Sequence, residues 1–130
     1  MAILVLDSGA VTAFSHADRR LREHLRALAH RSGEPFIVPT TVLIESTTGS
    51  AARDARVNAF LHACDVVPLT ALIARRAAAL RHAARAGSAV DASVIATAEA
   101  RGGGVVLTGD VTDLVALASR SPAVHVLPLP

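Results

Sequence analysis

The stretch AILVLDSGAVTAF, residues 2–14, decides the fold. It opens on a short run of branched apolar residues, 2–6, which is typical of a strand buried on both faces of a sheet. Asp7 ends the run, and the residues after it take up helical spacing. A buried strand that leads straight into a helix is the unit from which parallel α/β sheets are built. The run is too short to cross a membrane and has no basic leader, so we expect neither a spanning helix nor a signal peptide.

The same alternation continues along the chain. Short apolar runs predict further strands at 35–39, at 65–69, at 105–107 after a glycine turn, and within 123–130, the rest of which is a tail. Helical spacing predicts helices at 18–33, 40–49, 51–64, 70–86 (closed by Gly87), 88–101 and 110–119. The strand at 65–69 is expected at an edge of the sheet, because Pro68 has no N–H to donate to a neighbour. We therefore predict a single domain over residues 1–130, a three-layer α/β/α sandwich around a parallel sheet of about five short strands.

The composition excludes several kinds of chemistry. All thirteen basic residues are arginine, so reactions that need a lysine amine are ruled out. Cys64 is the single cysteine, which rules out a disulfide framework and a zinc site built on thiolates. A chain without disulfides is expected in a reducing, cytoplasmic compartment. The six histidines have no metal-ligand spacing, and we expect none to bind a metal: His16, His24, His30, His62, His82 and His125.

The charge is unevenly distributed. The formal net charge is only +2, with eleven acidic residues. Five of these acids lie in apolar contexts: Asp7, Glu45, Asp91, Asp110 and Asp113. If these five converge, the rest of the surface is basic, which favours a polyanionic partner.

Four of these acids come from four separate segments. Asp7 ends the first strand, and Asp110 follows the fourth. Glu45 comes directly after VLI in a helix that leaves the second strand, and Asp91 lies in the otherwise apolar helix AVDASVIATA. Because the functional crevice of an open parallel sheet lies at the carboxyl ends of its strands, we expect the four side chains to meet there.

Helix capping is the alternative interpretation for most of these acids. Asp7 fits the N-cap of the helix that starts at SGAV, and Asp110 fits an N-cap with Asp113 as the third helical residue of a capping box. Ser88 and Asp91 fit a second capping box. For Glu45 the sequence offers no comparable structural explanation.

Several carboxylates at one rim would repel one another and raise their pKa values unless a cation is present. No arginine lies within three positions of Asp7, Glu45, Asp91 or Asp110. A ligand set of oxygens alone selects Mg²⁺ or Mn²⁺ over zinc. Such an ion suits the hydrolysis of phosphodiester bonds.

A basic rim would attract the polyanionic substrate. The candidate RNA-binding residues are Arg53, Arg56, Arg75, Arg76, Arg81 and Arg85. The alternative for each is a solvated helix face. The chain has only three aromatic residues. We therefore expect recognition through contacts to the RNA backbone and not through base stacking.

Taken together, four motifs resemble the PIN-domain ribonucleases. They are LDSGAV at the first strand, Glu45 after VPTTVLI, VDASVIATA around Asp91, and VLTGDVTDL at the fourth strand. The chain looks in particular like VapC, the toxin of type II toxin–antitoxin pairs, over essentially its full length. The resemblance implies an α/β/α sandwich, a homodimer, Mg²⁺ or Mn²⁺, and endonucleolytic cleavage of RNA. It also implies a VapB-type antitoxin whose tail covers the acidic crevice, in a heterotetramer or larger assembly, with no membrane partner.

The resemblance assigns roles to individual positions. Its acidic metal-binding set falls on Asp7, Glu45, Asp91 and Asp110. Supporting roles fall on Ser8, on the Thr108 hydroxyl and on Asp113, the more variable additional acid. Leu114 departs from the pattern, since many relatives have an aromatic residue there.

Three rival functions stay open on the sequence. Phosphoryl transfer of the receiver or haloacid-phosphatase type is disfavoured, because the chain has no lysine and because Ser8 and Gly9 follow Asp7 where a second acid is expected. A catalytically silent PIN-fold binding module is a second alternative. A PIN nuclease of RNA processing without a toxin role is the third.

Overall fold

The computed structural model describes residues 3–130. Within this range five short strands form: β1 (Leu4–Leu6), β2 (Ile37–Pro39), β3 (Asp65–Val67), β4 (Gly104–Thr108) and β5 (Val124–Pro128). The same range forms seven α-helices: α1 (Ser8–Ser15), α2 (Arg19–Ser32), α3 (Thr40–Ser46), α4 (Ala55–His62), α5 (Ala71–Ala84), α6 (Ala89–Ala100) and α7 (Val111–Leu117). A short 3₁₀ helix, Ala118–Arg120, follows α7.

All neighbouring strands are parallel, in the order β3-β2-β1-β4-β5. Right-handed crossovers then put α1 to α4 on one face of the sheet and α5 to α7 on the other. The packing agrees: α1 contacts α2, α3 and α4, while α5, α6 and α7 contact one another. The predicted α/β/α sandwich is confirmed, and so is the edge position of β3.

The strand order reverses direction between β1 and β4. From β1 the chain builds outward to β2 and β3, and it then crosses to β4 and β5 on the other side. β1 and β4 pair in register, with Leu6 opposite Leu107. The carboxyl ends of β1 and β4 therefore lie side by side at the switch point, where open parallel sheets place their ligand crevice.

The core consists of the central strands and one aromatic cluster. Val5 and Val106 are fully buried in neighbouring strands. Phe14, Phe36 and Phe60 have ring centroids 6.1 to 6.4 Å apart. The three aromatic residues of the chain thus pack together beneath α1 and α4. The rest of the core is aliphatic, as the composition predicts.

The ends of several elements differ from the prediction. The first strand was predicted over 2–6; residue 2 lies outside the described residues, and the strand begins at Leu4. The helix predicted over 51–64 begins only at Ala55. The carboxylate of Asp54 accepts the backbone N–H groups of Thr48 and Gly49, and this keeps the residues before Ala55 in a loop. The helix predicted over 70–86 ends at Ala84, since Arg85 takes the left-handed conformation (φ 51°) two residues before Gly87.

No helix among residues 3–130 is long and apolar enough to span a membrane.

Candidate metal centre

Asp7 lies at the carboxyl end of β1 and is almost completely buried, with 4% of its surface exposed. Its Oδ1 accepts a hydrogen bond from the backbone N–H of Ala10 at 2.8 Å, which caps α1. Its Oδ2 accepts a hydrogen bond from the hydroxyl of Thr108. Asp7 is thus an N-cap, as the capping interpretation predicts, but its second oxygen is directed to the neighbouring strand β4.

Thr108 connects the ends of the two central strands. Its side chain is fully buried at the last position of β4. The hydroxyl donates to Asp7 and accepts the backbone N–H of Asp110 at 2.8 Å. One hydroxyl therefore fixes both the carboxylate after β1 and the turn after β4.

Three further carboxylates converge with one another, and Asp7 lies outside their group, although the charges of Asp91 and Asp110 act on it. Asp91 on α6, Asp110 before α7 and Asp113 in the first turn of α7 each offer one oxygen, and these oxygens all lie within 4.8 Å of one another. Asp110 is exposed, and the other two are half-buried. Asp113 therefore belongs to this group together with Asp91 and Asp110. The signal in the sequence is its spacing of three residues from Asp110, one helical turn.

The electrostatics of the site oppose ionisation. Burial raises the pKa of Asp7 above its ordinary value, hydrogen bonds from Thr108 and Ala10 offset part of this, and the charges of Asp91 and Asp110 raise it further. The pKa of Asp113 is also raised, first by the charge of Asp110, then by burial and by Asp91. Like charges held together in this way favour a bound cation.

Glu45 reaches the site by a different contact. Its Oε1 accepts a hydrogen bond from the Ser8 hydroxyl at 2.8 Å, and Ser8 follows Asp7 directly in the chain. The side chain is exposed on α3 and stands outside the group of three carboxylates. The structure therefore brings Glu45 to the first residue of α1, with Ser8 as the residue that orients it.

The two capping boxes differ. At the start of α6 the box is present: Asp91 Oδ2 accepts the Ser88 N–H at 3.2 Å, and Ser88 Oγ accepts the Asp91 N–H at 3.0 Å. At α7 the predicted box is wrong, because Asp110 makes no side-chain capping bond. The backbone of Asp110 (φ −125°, ψ 80°) turns its N–H onto Thr108, away from the extended conformation of an ordinary N-cap.

Two hydroxyls that the sequence analysis missed hold the helix layers together at this edge. Thr41 Oγ1 on α3 and Ser93 Oγ on α6 are 2.6 Å apart. Thr41 lies one helical turn before Glu45, and Ser93 lies two residues after Asp91. This contact fixes α3, which carries Glu45, against α6, which carries Asp91. Hydroxyl residues two to four positions from the predicted ligands are the signal that could have identified this contact.

The donor set fits a hard divalent ion. The three convergent donors are carboxylate oxygens, the ligand type of Mg²⁺ and Mn²⁺. Among the described residues the arginine–carboxylate ion pairs are Arg19–Glu23, Arg76–Glu99 and Arg101–Asp65, so none neutralises the site. A divalent cation would supply the compensation that these side chains lack.

The six candidate RNA-binding arginines occupy different environments. Arg76 is held by Glu99, with Nε 2.6 Å from Oε1, and also donates to the carbonyl of Arg120. Arg81 donates to the carbonyl of Gly87 at 3.2 Å. The remaining four are exposed in or beside two helices on opposite layers, Arg53 and Arg56 at α4 and Arg75 and Arg85 at α5.

The sequence model of the PIN domain family matches residues 4–118. No curated protein sequence matches the chain. The match covers every strand except β5 and includes all the acids described above.

Solved toxin–antitoxin complexes contain chains of the same fold. One chain of the VapBC2 complex from Rickettsia felis, bound to a DNA fragment from its promoter, has a TM-score of 0.73 at 16% identity, over 98% of this chain and 99% of that one. A chain of DNA-bound VapBC from Salmonella typhimurium has a TM-score of 0.72 at 18% identity, over 100% of both. A chain of a toxin–antitoxin complex from Klebsiella pneumoniae has a TM-score of 0.66 at 20% identity, over 93% and 94%. At identities this low, the TM-scores show a shared fold and nothing beyond it.

Proposed function

This chain belongs to the PIN domain family, and from that membership we propose that it is a metal-dependent endoribonuclease acting as the toxin of a type II toxin–antitoxin pair. PIN domains are generally nucleases. The observation that carries the proposal is the group of Asp91, Asp110 and Asp113, two of whose charges act on buried Asp7, at the switch point of the sheet. Uncompensated acids are a costly arrangement for a fold, and a functional cation explains it.

The proposed ligands of Mg²⁺ or Mn²⁺ are Asp7, Glu45, Asp91 and Asp110, and Asp113 is close enough to its neighbours to serve as a further one. When bound, such an ion lowers the pKa of a coordinated water and offsets the negative charge of the phosphate under attack. The reaction is the addition of water across a phosphodiester bond of RNA.

The chain's own residues position the carboxylates for this role. Thr108 holds Asp7 Oδ2 with its hydroxyl, and Ser8 holds Glu45 Oε1. The capping bond from Ser88 fixes Asp91 at the start of α6. Hydrogen bonds to ligating side chains restrict their orientation, and losing such a bond typically lowers metal affinity or activity ten- to a hundredfold.

RNA binding is proposed to rest on contacts to the phosphate backbone. Arg53, Arg56, Arg75 and Arg85 are exposed and are proposed contributors to that binding, while Arg76 is engaged by Glu99. Arginine suits this role because its planar guanidinium binds phosphate oxygens in a bidentate manner.

The toxin role is supported by the kind of structure that the chain resembles. The similar chains occur in VapBC and other toxin–antitoxin complexes. We propose a VapB-type antitoxin as partner and a homodimer as the toxin's own assembly, joined with the antitoxin in a heterotetramer or larger complex.

The proposal is tested by expression in a bacterial host from a tightly repressed promoter. We expect the wild-type chain to arrest growth and Asp7→Asn to be harmless at an equal protein level. Asp18→Asn, which changes an exposed helix cap instead, is the matched control and should arrest growth like the wild type. Equal toxicity of wild type and Asp7→Asn would contradict the proposal.

RNA cleavage and RNA binding by the purified chain, added to the growth measurement, separate the two alternatives. A wild-type chain that is harmless in cells but cleaves RNA when purified would indicate a nuclease of RNA processing. A chain that neither arrests growth nor cleaves RNA, yet binds it, would indicate a silent binding module.

A further inference from the structure

Helix α3, which carries Glu45, is too short to hold its position alone. It has seven residues, and no side chain caps its first turn. Isolated helices of fewer than about 12 residues are marginal in water, so tertiary contacts must hold this one. It packs against α1, α6 and β2. The position of Glu45 therefore depends on the contacts that fix α3 against these elements.

Among the described residues, one side-chain hydrogen bond joins α3 to α6, the helix of Asp91. It is formed by the hydroxyls of Thr41 and Ser93, whose oxygens are 2.6 Å apart. Ser93 is only 1% exposed and Thr41 is half-buried, so the bond is largely shielded from water. Glu45 itself is bonded to α1, through Ser8. The contact between Thr41 and Ser93 is thus the hydrogen bond that relates the helix of Glu45 to the helix of Asp91.

The two hydroxyls form a chain with a fixed direction. Ser93 Oγ donates to the backbone carbonyl of Val90 at 2.6 Å. A hydroxyl has one proton, so Ser93 cannot also donate to Thr41, and the Thr41 hydroxyl is the donor of the shared bond. The chain therefore runs from α3 through Ser93 to the residue before Asp91. Linked hydrogen bonds of this kind polarise and strengthen one another inside a protein.

Thr41 lies where it can set the direction of Glu45. The two residues are four positions apart on α3, so their side chains lie on the same side of the helix, one turn apart. Fixing Thr41 against α6 therefore also fixes the rotation of α3 about its own axis. Glu45 stands outside the group of Asp91, Asp110 and Asp113. Its approach to an ion held by that group consequently requires α3 to be correctly placed on α6.

We propose that Thr41 and Ser93 are positioning residues, which direct Glu45 towards a divalent cation bound by the carboxylates of α6 and α7. The inference rests on the proposed metal-dependent function, and it adds two residues that do not bind the cation themselves. Packing alone would be served equally well by an apolar pair, since replacing both partners of a hydrogen bond by apolar groups of the same shape can be nearly neutral for stability. A hydrogen bond fixes direction as well as distance.

The test is calorimetric titration of the metal-free protein with Mn²⁺, together with thermal melting in EDTA. Thr41→Val keeps the shape of the side chain and removes the hydroxyl. Ser93→Ala breaks the same contact from the side of α6, and Thr41→Ser keeps it. The matched control is Thr47→Val, because the Thr47 hydroxyl bonds to the carbonyl of Leu43 at 2.6 Å, within the end of α3 itself.

We expect Thr41→Val and Ser93→Ala each to bind Mn²⁺ about tenfold more weakly, which is the lower end of the effect of losing a contact that orients a metal ligand. The double variant should lose no more than either single variant, because both break the same contact. Thr41→Ser and Thr47→Val should bind nearly as tightly as the wild type. Cooperative melting in EDTA shows that each variant is folded before its affinity is compared.

Glu45→Gln separates positioning from a general loosening of the fold. If Thr41 acts through Glu45, Thr41→Val weakens Mn²⁺ binding in the wild-type background and has no further effect in Glu45→Gln. Equal losses in both backgrounds would overturn the inference, since the hydroxyl would then act on the fold as a whole. Wild-type affinity in Thr41→Val and Ser93→Ala would also overturn it, and so would wild-type affinity in Glu45→Gln, because there would be no ligand to position.

Failure of the proposed function gives a different result. Mn²⁺ bound with this dependence on Thr41 and Glu45, but RNA left uncut, would keep the positioning pair and exclude the nuclease. A wild-type chain that bound no Mn²⁺ would overturn both.

Discussion

The hydroxyl of Thr108 donates a hydrogen bond to the buried carboxylate of Asp7, from the end of β4 to the end of β1. The same hydroxyl accepts the backbone N–H of Asp110 at 2.8 Å. These two bonds tie together the two chain segments that meet at the switch point of the sheet. The position of Asp7 relative to Asp110 is therefore set by one side chain, and several predictions depend on it.

Replacing Thr108 by valine keeps the shape of the side chain and removes the hydroxyl. Asp7 loses a hydrogen bond to its charged form, and the Asp110 N–H loses its acceptor. We expect Mn²⁺ affinity, measured by calorimetric titration, to fall about ten- to a hundredfold, and the free energy of unfolding to fall by about 1–3 kcal/mol. Thr108→Ser retains the hydroxyl and should retain most of the affinity. Equal affinities of Thr108→Val and wild type would exclude the role given to this hydroxyl.

Metal binding should stabilise the fold through the three convergent carboxylates. With Mn²⁺ at a hundredfold excess over its dissociation constant, the stabilisation is about 2.7 kcal/mol, which raises the melting temperature by several degrees. Asp110→Asn and Asp113→Asn should each lose most of this rise, because each removes a charged ligand. Glu34→Gln, which changes an exposed acid elsewhere, should show the full rise. A rise in the two aspartate variants as large as in the wild type would place the ion elsewhere.

The raised pKa of Asp7 predicts how the metal-free protein responds to pH. The folded chain holds the Asp7 proton more tightly than the unfolded chain does, because burial and the charges of Asp91 and Asp110 oppose ionisation. Ionised Asp7 therefore lowers stability above its folded-state pKa, and this penalty disappears as the pH falls through that pKa towards the unfolded value.

Asp7→Asn should consequently melt at a higher temperature than the wild type in EDTA at neutral pH. The amide oxygen can still accept the Ala10 N–H. The difference should shrink as the solution is acidified, and Mn²⁺ at neutral pH should reverse its sign. A melting difference that is constant from neutral to acidic pH would show that Asp7 carries no such penalty.

Asp54 has the opposite electrostatic role. Its buried carboxylate accepts the backbone N–H of Thr48, the Thr48 hydroxyl and the backbone N–H of Gly49. Desolvation opposes ionisation, but these hydrogen bonds and the charge of Arg53 hold the pKa of Asp54 below its ordinary value. Its contribution to stability is thus present above the unfolded-state pKa and is lost as the pH falls through the folded-state pKa.

Asp54→Asn should lower the melting temperature by several degrees at neutral pH, and by progressively less as the pH falls from the unfolded-state pKa through the folded-state pKa. The conservative control is Asp18→Asn, since asparagine caps a helix about as well as aspartate. If Asp54→Asn and Asp18→Asn melted alike at neutral pH, the loop between α3 and α4 would not depend on this carboxylate.

Most of the fold could be predicted because apolar runs and helical spacing reflect burial directly. The parallel sheet and the edge position of β3 followed from such local patterns. The first residue of a helix was harder to predict where a side chain accepts hydrogen bonds from backbone groups outside the helix. Asp54 binds the N–H groups of Thr48 and Gly49, and no local pattern identifies those partners.

Part of the candidate site could likewise be predicted from the sequence, and part could not. Strand order brings the segments around Asp7 and Asp110 together, so their proximity follows from the sequence once the sheet is parallel. Arg76 was predicted as an RNA-binding candidate, but it pairs with Glu99, 23 residues later. That pairing depends on how α5 packs against α6, which no local sequence pattern reveals.

Cleavage of RNA by the purified protein tests the central claim most directly. A labelled RNA is incubated with wild type and with Asp110→Asn, each with Mg²⁺, with Mn²⁺ and with EDTA, and the products are separated on a denaturing gel. We expect endonucleolytic fragments from the wild type with either metal, none in EDTA, and at least a hundredfold lower rate from Asp110→Asn. Cleavage that continues in EDTA, or that Asp110→Asn carries out at the wild-type rate, would contradict a metal-dependent nuclease at this site.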